Sequence, residues 1–123
     1  MPKHLVLEGK ILKITYWSEA MICPLESWFY SKDLQESDRK KIINKFEFIA
    51  NNGYPHNEEI FKKIWEDYFE IKPSGQIRFP GLIESHEFVI LDQLKKKSDN
   101  YPKSYKERLK EIRKAYEYAK RKK

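Results

Sequence analysis

Apolar residues along this chain switch repeatedly between strand-like and helix-like spacing. Ile11-Leu-Lys-Ile-Thr-Tyr-Trp17 is dense in β-branched and aromatic side chains and predicts a strand. His4 to Leu7 pairs with that strand or extends it across Gly9. Pro24 suits the first position of a helix, and Leu25, Trp28 and Phe29 fall on one helical face, so a short helix is predicted over about Pro24 to Lys32. Ser37 is a favourable N-cap for a second helix. Its stripe is Ile42, Ile43, Phe46, Ile49 and Ala50, and Asn51-Asn52-Gly53 ends it. Tyr54 to Glu59 reads as a loop.

Three strands are predicted next. In Tyr68-Phe-Glu-Ile-Lys72, Phe69 and Ile71 share one face while Tyr68, Glu70 and Lys72 share the other. Pro73-Ser-Gly75 is a turn signal. Gln76 to Phe79 continues as a strand whose end Pro80-Gly81 disturbs, and Phe88 to Leu94 is the third. Short connections favour an antiparallel meander. A last helix starts near Pro102. Its stripe of Tyr105, Leu109, Ile112, Tyr116 and Ala119 is flanked by Lys, Arg and Glu. The predicted order is β-α-α-β-β-β-α, an α+β fold with helices on one face of a small antiparallel sheet. The other sheet face then carries Glu70, Lys72 and neighbouring polar groups as an open surface.

Length and composition make residues 1–123 one domain. The chain is 40% hydrophobic and 15% aromatic, enough for one core, and 36% charged. No apolar run is long enough to span a membrane, and the N-terminus lacks the apolar stretch of a secretory signal. The single Cys23 reads as a packed thiol in a reducing cytoplasm. His4, His56 and His86 have no metal-ligand spacing with one another or with Cys23, and the four scattered glycines form no phosphate loop. No metal or cofactor is therefore expected. The aromatics Trp17, Trp28, Phe29, Phe46 and Phe69 fit the core stripes, whereas Trp65 and Tyr68, flanking Glu66-Asp67, are candidates for a more exposed partner-binding position.

Charge is distributed unevenly. From Lys95 to Lys123 there are 13 Lys and Arg against 4 Asp and Glu, whereas the preceding 94 residues carry 12 against 15. A basic end on a mildly acidic body points to a polyanion partner, with RNA the first candidate. The plainer alternative is a solvated lysine-rich helix. Residues 120–123 are expected to be a flexible basic tail.

Five segments in register resemble the RelE/HigB group of toxins from bacterial type II toxin–antitoxin systems. These are Ile22-Cys-Pro-Leu-Glu-Ser-Trp-Phe29, the helix from Ile42 to Gly53, Tyr68-Phe-Glu-Ile-Lys72, Ile77-Arg-Phe79, and Leu91-Asp-Gln-Leu-Lys-Lys-Lys-Ser-Asp-Asn-Tyr-Pro102. Lys72 stands where that group usually has arginine, and Asp92-Gln93-Leu94 where it has His-Gly-Phe. The resemblance implies a RelE-like fold and a metal-independent endoribonuclease, an mRNA interferase of the cytoplasm. Such a protein inhibits translation by cutting mRNA, often on the ribosome, and is held inactive by a cognate antitoxin.

Under that resemblance the ribose 2′-hydroxyl attacks the adjacent phosphate. The reaction needs a base, an acid and cations around the phosphorane. Arg78 is the expected phosphate clamp, because its planar fork can hold two phosphate oxygens. Lys96 and Lys97 stabilise transition-state charge, Lys72 joins them if it faces the same side, and Tyr101 is an acid or a base-stacking platform. Lys95, Lys103 and Lys106 are the expected RNA contacts. Glu70 reads as a structural ion-pair partner, with general base as the alternative. His86 reads as a surface residue. Two other functions stay open: a non-catalytic RelE-fold RNA- or protein-binding module, and a small basic protein-interaction domain.

Overall fold

The computed structural model describes residues 3–96 and 101–122. The elements are β1 (Lys3–Glu8), β2 (Lys13–Trp17), α1 (Pro24–Phe29), α2 (Glu36–Asn52), β3 (Phe61–Trp65), β4 (Tyr68–Ser74), β5 (Ile77–Glu84), β6 (Glu87–Ile90), β7 (Leu94–Lys95) and α3 (Lys103–Arg121). Among the described residues the strands form one sheet in the order β1-β2-β6-β5-β4-β3, with β7 on β5. The fold is mixed α+β.

β1 does pair with β2, antiparallel, and Pro24 does start α1. α2 starts earlier than Ser37. Gln35 is its N-cap, in a reciprocal capping box with Asp38, and Gly53 closes its end at φ 89°.

The sheet is not a simple meander. β2 runs parallel to β6, with Ile14 opposite Phe88 and Tyr16 opposite Ile90, while the β3–β4–β5–β6 run is antiparallel. Nor does one face stay open. Ile14, Tyr16, Ile71, Phe79, Phe88 and Ile90 pack under α1 and α2 with Leu25, Ile42, Phe46 and Ile49. On the opposite face Trp17, Tyr68, Leu82, Val89 and Leu91 pack under α3 with Leu109 and Tyr116. The reason is the α3 stripe: it needs apolar surface, and α1 and α2 already occupy the first face. Central strands buried on both sides lose their polar alternation, as the fully buried Glu87–Ile90 strand shows.

Pro80 and Gly81 lie inside β5 rather than at its end. Pro80 is opposite Glu70, and its carbonyl accepts the Leu91 amide at 2.9 Å. A Cβ on Gly81 would meet the Val89 carbonyl oxygen at 2.2 Å, so glycine permits the close β5–β6 approach. Two strands escape the sequence pattern, β3 and β7. The expected flexible tail is also different: α3 continues to Arg121, and Lys120 bridges Glu84 at 2.9 Å. Tyr68 is buried, lying under the Arg113 guanidinium that grips Asp67 through two bonds of 2.6 and 2.7 Å. No helix among the described residues is long and apolar enough to cross a membrane.

Candidate functional site

The α3 face of the sheet has an apolar half and a charged half. Strand parity decides which side chains enter the charged half. Ile77 and Phe79 of β5 face α2, so Arg78 between them faces the other way, with Leu82. β4 pairs Glu70 with Pro80, next to Arg78 and on the same face as Tyr68. On β7, Leu94 is opposite Arg78 and Lys95 opposite Ile77. Lys95 therefore turns toward the α2 side, where its ammonium donates to the Asp33 carbonyl at 3.3 Å. Lys96 turns to the α3 side and places its ammonium over the Tyr101 ring, 4.2 Å from the centroid.

These placements make a cleft of about 310 Å³ lined by Lys62, Ile64, Trp65, Glu70, Lys96, Tyr101 and Lys106. At its heart the Tyr101 hydroxyl donates to Glu70 Oε1. Glu70 is only 3% exposed, and its Oε2 lies 3.8 Å from Arg78 Nε. Burial raises the Tyr101 hydroxyl well above the usual phenol range, and its bond to the Glu70 carboxylate raises it further. Tyr101 is therefore a firmly held proton donor at neutral pH. Its ring meets Trp65 edge-on at 5.7 Å and stacks on Tyr105 at 5.2 Å. The Lys106 ammonium caps the Trp65 ring at 4.9 Å. Three lysines and one buried carboxylate thus surround an aromatic floor, an arrangement able to hold a phosphate and move a proton.

The residues expected from sequence divide clearly. Lys96, Tyr101 and Lys106 meet in the cleft, and Glu70 joins them. Arg78 sits beside Glu70 but is 9% exposed, and its Nη1 is engaged by the carbonyls of Gly75 at 2.6 Å and Ile77 at 2.9 Å. A guanidinium tethered in that way holds the carboxylate in place; it does not present an open fork to a phosphate. Lys72 leaves the group: its ammonium donates to the Glu58 carbonyl at 3.0 Å. Lys95 leaves it by strand parity. Lys103 is exposed on the first turn of α3 and is not among the lining residues. Lys97 lies outside the described residues. His86 occupies an exposed turn at φ 56°, bonded to Ser85.

Sequence reasoning missed Lys62 and Ile64, and it marked Trp65 only as a partner-binding position, not as part of this cleft. A register shift between Lys63 and Trp65 breaks the alternation of β3, so Ile64 and Trp65 both reach the α3 side. The pairing of Lys62 with Glu70 was invisible without that strand.

Asp92 is 6% exposed and accepts from the Tyr105 hydroxyl at 2.8 Å and from Arg108 Nε at 3.2 Å. The Tyr105 hydroxyl is raised by burial and by that carboxylate. Among the described residues no group of His, Cys, Asp and Glu is arranged to hold a metal ion. No protein-family model matches this chain, and no curated protein matches it in sequence.

Proposed function

We propose that this protein is a RelE/HigB-like endoribonuclease that cleaves RNA at the Glu70–Tyr101–Lys96 cleft, as the toxin of a type II toxin–antitoxin pair acting on ribosome-bound mRNA. The observation that carries this reading is the hydrogen bond from Tyr101 to buried Glu70, beside lysines and the half-buried Trp65 ring. The Tyr101 oxygen takes the proton of the attacking 2′-hydroxyl as its own proton passes to Glu70 Oε1, so no free phenolate forms. Lys96 and Lys106 compensate the charge that builds on the phosphorane, and one ammonium returns a proton to the departing 5′-oxygen. Trp65 supplies the face on which a base stacks. Arg78 acts one step back by holding Glu70. The products are a 2′,3′-cyclic phosphate and a 5′-hydroxyl.

The test uses purified protein with labelled mRNA, with and without ribosomes, alongside Tyr101→Phe and Lys96→Met. Cleavage leaving 2′,3′-cyclic phosphate ends, reduced at least 100-fold in each folded variant, is the expected result. Intact RNA under all conditions, or full cleavage by folded Tyr101→Phe, overturns it. In the first case the cleft becomes a binding site without chemistry, a reading favoured by the tethering of Arg78 to carbonyls.

A further inference from the structure

Tyr101 and Tyr105, four residues apart, make the same kind of bond. Tyr101 donates to Glu70, which Arg78 neighbours; Tyr105 donates to Asp92, which Arg108 also grips. Glu70 lines the cleft and Asp92 does not. Yet the tyrosine that Asp92 holds lies flat on Tyr101: the two ring planes are 13° from parallel, with centroids 5.2 Å apart. Tyr101 can tilt only against that neighbour, so the plane of Tyr105 sets the plane of Tyr101. The plane of Tyr105 is in turn set by its hydroxyl bond to Asp92.

Asp92 is a rigid anchor. It follows β6, a central strand of the sheet. The preceding Leu91 amide is bonded to the Pro80 carbonyl at 2.9 Å, and the following Gln93 side chain accepts from the Tyr16 hydroxyl at 2.5 Å. Tyr105 and Arg108, three residues apart on α3, converge on a single oxygen, Asp92 Oδ2. One buried carboxylate oxygen thus pins the start of the helix that Tyr101 leads into. The Tyr105 amide bonds the Pro102 carbonyl at 3.0 Å, so the pin lies one turn from Tyr101. Burial and then the Asp92 charge hold the Tyr105 hydroxyl protonated well above the usual phenol range, and the bond persists through neutral pH.

We infer that Asp92, acting through Tyr105, is a positioning residue that holds Tyr101 against Glu70. Its effect on cleavage rests on the ribonuclease reading; its hold on Tyr101 does not. The role needs an acceptor oxygen at one place more than it needs a charge, because both donors share that atom. Misplacing a proton-transfer group slows the chemical step and leaves substrate binding alone.

The experiment is 13C NMR of the full chain labelled at the tyrosine ζ-carbons, alongside cleavage of labelled mRNA by the same preparations. The Tyr101 signal, assigned with Tyr101→Phe, reports the bond of its hydroxyl to Glu70. Tyr105→Phe keeps the stacked ring and removes the tether. Asp92→Leu removes the anchor, and Asp92→Asn returns an oxygen that both donors can share. Lys120→Met, which breaks the Glu84 bridge at the far end of α3, controls for general loosening of the helix. Tyr105→Phe and Asp92→Leu should move the Tyr101 signal toward that of the urea-unfolded chain, and should lower kcat about 10–100-fold with KM within about twofold. Asp92→Asn should bring the signal back and kcat to within about threefold of the parent. Lys120→Met should move neither. An unmoved Tyr101 signal in folded Tyr105→Phe and Asp92→Leu overturns the inference, as does a loss in Asp92→Asn equal to that in Asp92→Leu. Signals that move as expected in a protein that cleaves no RNA uphold the positioning and remove the ribonuclease reading. Cleavage with unmoved signals does the reverse.

Discussion

Replacing Arg78 with methionine isolates the electrostatic cost of a buried carboxylate. The methionine keeps the apolar stem and removes the guanidinium. Glu70, 3% exposed, then loses the cation 3.8 Å from its Oε2, while Tyr101 still donates to Oε1. Breaking a buried ion pair from one side costs about 3–5 kcal/mol. The separation is long and one hydrogen bond survives, so the lower end applies, about 3 kcal/mol. With a urea m-value of about 2 kcal/mol/M, the unfolding midpoint falls by about 1.5 M. The control is Arg78→Met with Glu70→Gln. Glutamine keeps an oxygen for Tyr101 but carries no charge, so the double variant should recover to within about 1 kcal/mol of the parent. Urea unfolding at neutral pH, followed by tryptophan fluorescence, measures all four corners of the cycle. A loss below about 1 kcal/mol in the single variant, or a double variant no more stable than Arg78→Met, refutes the view that Arg78 exists to hold Glu70.

Lys95→Met should leave RNA cleavage within about threefold of the parent, because this side chain faces Asp33 on the far side of the sheet, whereas Lys96→Met should lose at least 100-fold; equal effects in a cleavage assay would contradict the parity argument. Gly9→Ala should cost about 3 kcal/mol in urea or thermal unfolding, since its Cβ would lie 2.3 Å from the Ala50 carbonyl carbon, and that carbonyl also receives the Ile11 and Leu12 amides. Tyr16, Tyr54, Tyr101, Tyr105 and Tyr116 are all raised, burial being the first cause in each, and Tyr54 is pushed up to about 12. A folded pKa above the unfolded one means that this stability is complete below about pH 10 and is lost as pH rises toward 12 and beyond. A phenolate absorbance titration should therefore find, near pH 10, well under the signal of the urea-unfolded chain, with the rest appearing as the fold opens. Asp67 is lowered by its hydrogen bonds from Arg113, so its contribution is present above the ordinary aspartate range and fades as pH falls through the folded value; Asp67→Asn should flatten the acid limb of a stability–pH curve.

Long helical periods were the most readable part of this chain. The stripe of α3, that of α2 apart from the exposed Ile43, and the Pro24 start of α1 follow from local pattern, while the β1–β2 hairpin is one of the two readings that pattern allowed. What local pattern lacks is knowledge of neighbours. Gln76 to Phe79 could not announce that its strand would run on through Pro80 and Gly81, because only the close approach of Val89 makes that glycine useful. β3 stayed hidden because its register shift erases the period-two signal, and β7 because it has two residues. The cleft shows the same division. Lys96, Tyr101 and Lys106 were legible as chemistry-bearing residue types near a basic loop. Glu70 was weighed mainly as an ion-pair partner, and it is one, yet it also accepts the Tyr101 proton. Arg78 shows the limit most clearly: its residue type suggests a phosphate clamp, while the carbonyls of Gly75 and Ile77 turn it inward.

The parallel pairing of β2 with β6 sets the order in which this molecule can assemble. β3, β4, β5 and β6 are joined by short turns and can zip together early, one hairpin after another. β2 reaches β6 only after the whole intervening chain has been looped back, which puts Lys13 beside Glu87. Until then β6 presents Phe88, Val89 and Ile90 along an unpaired edge, an apolar template for any other chain at the same stage. Refolding yield should accordingly fall as chain concentration rises, and it is the late arrival of the N-terminal hairpin, closing that edge, that ends the exposure.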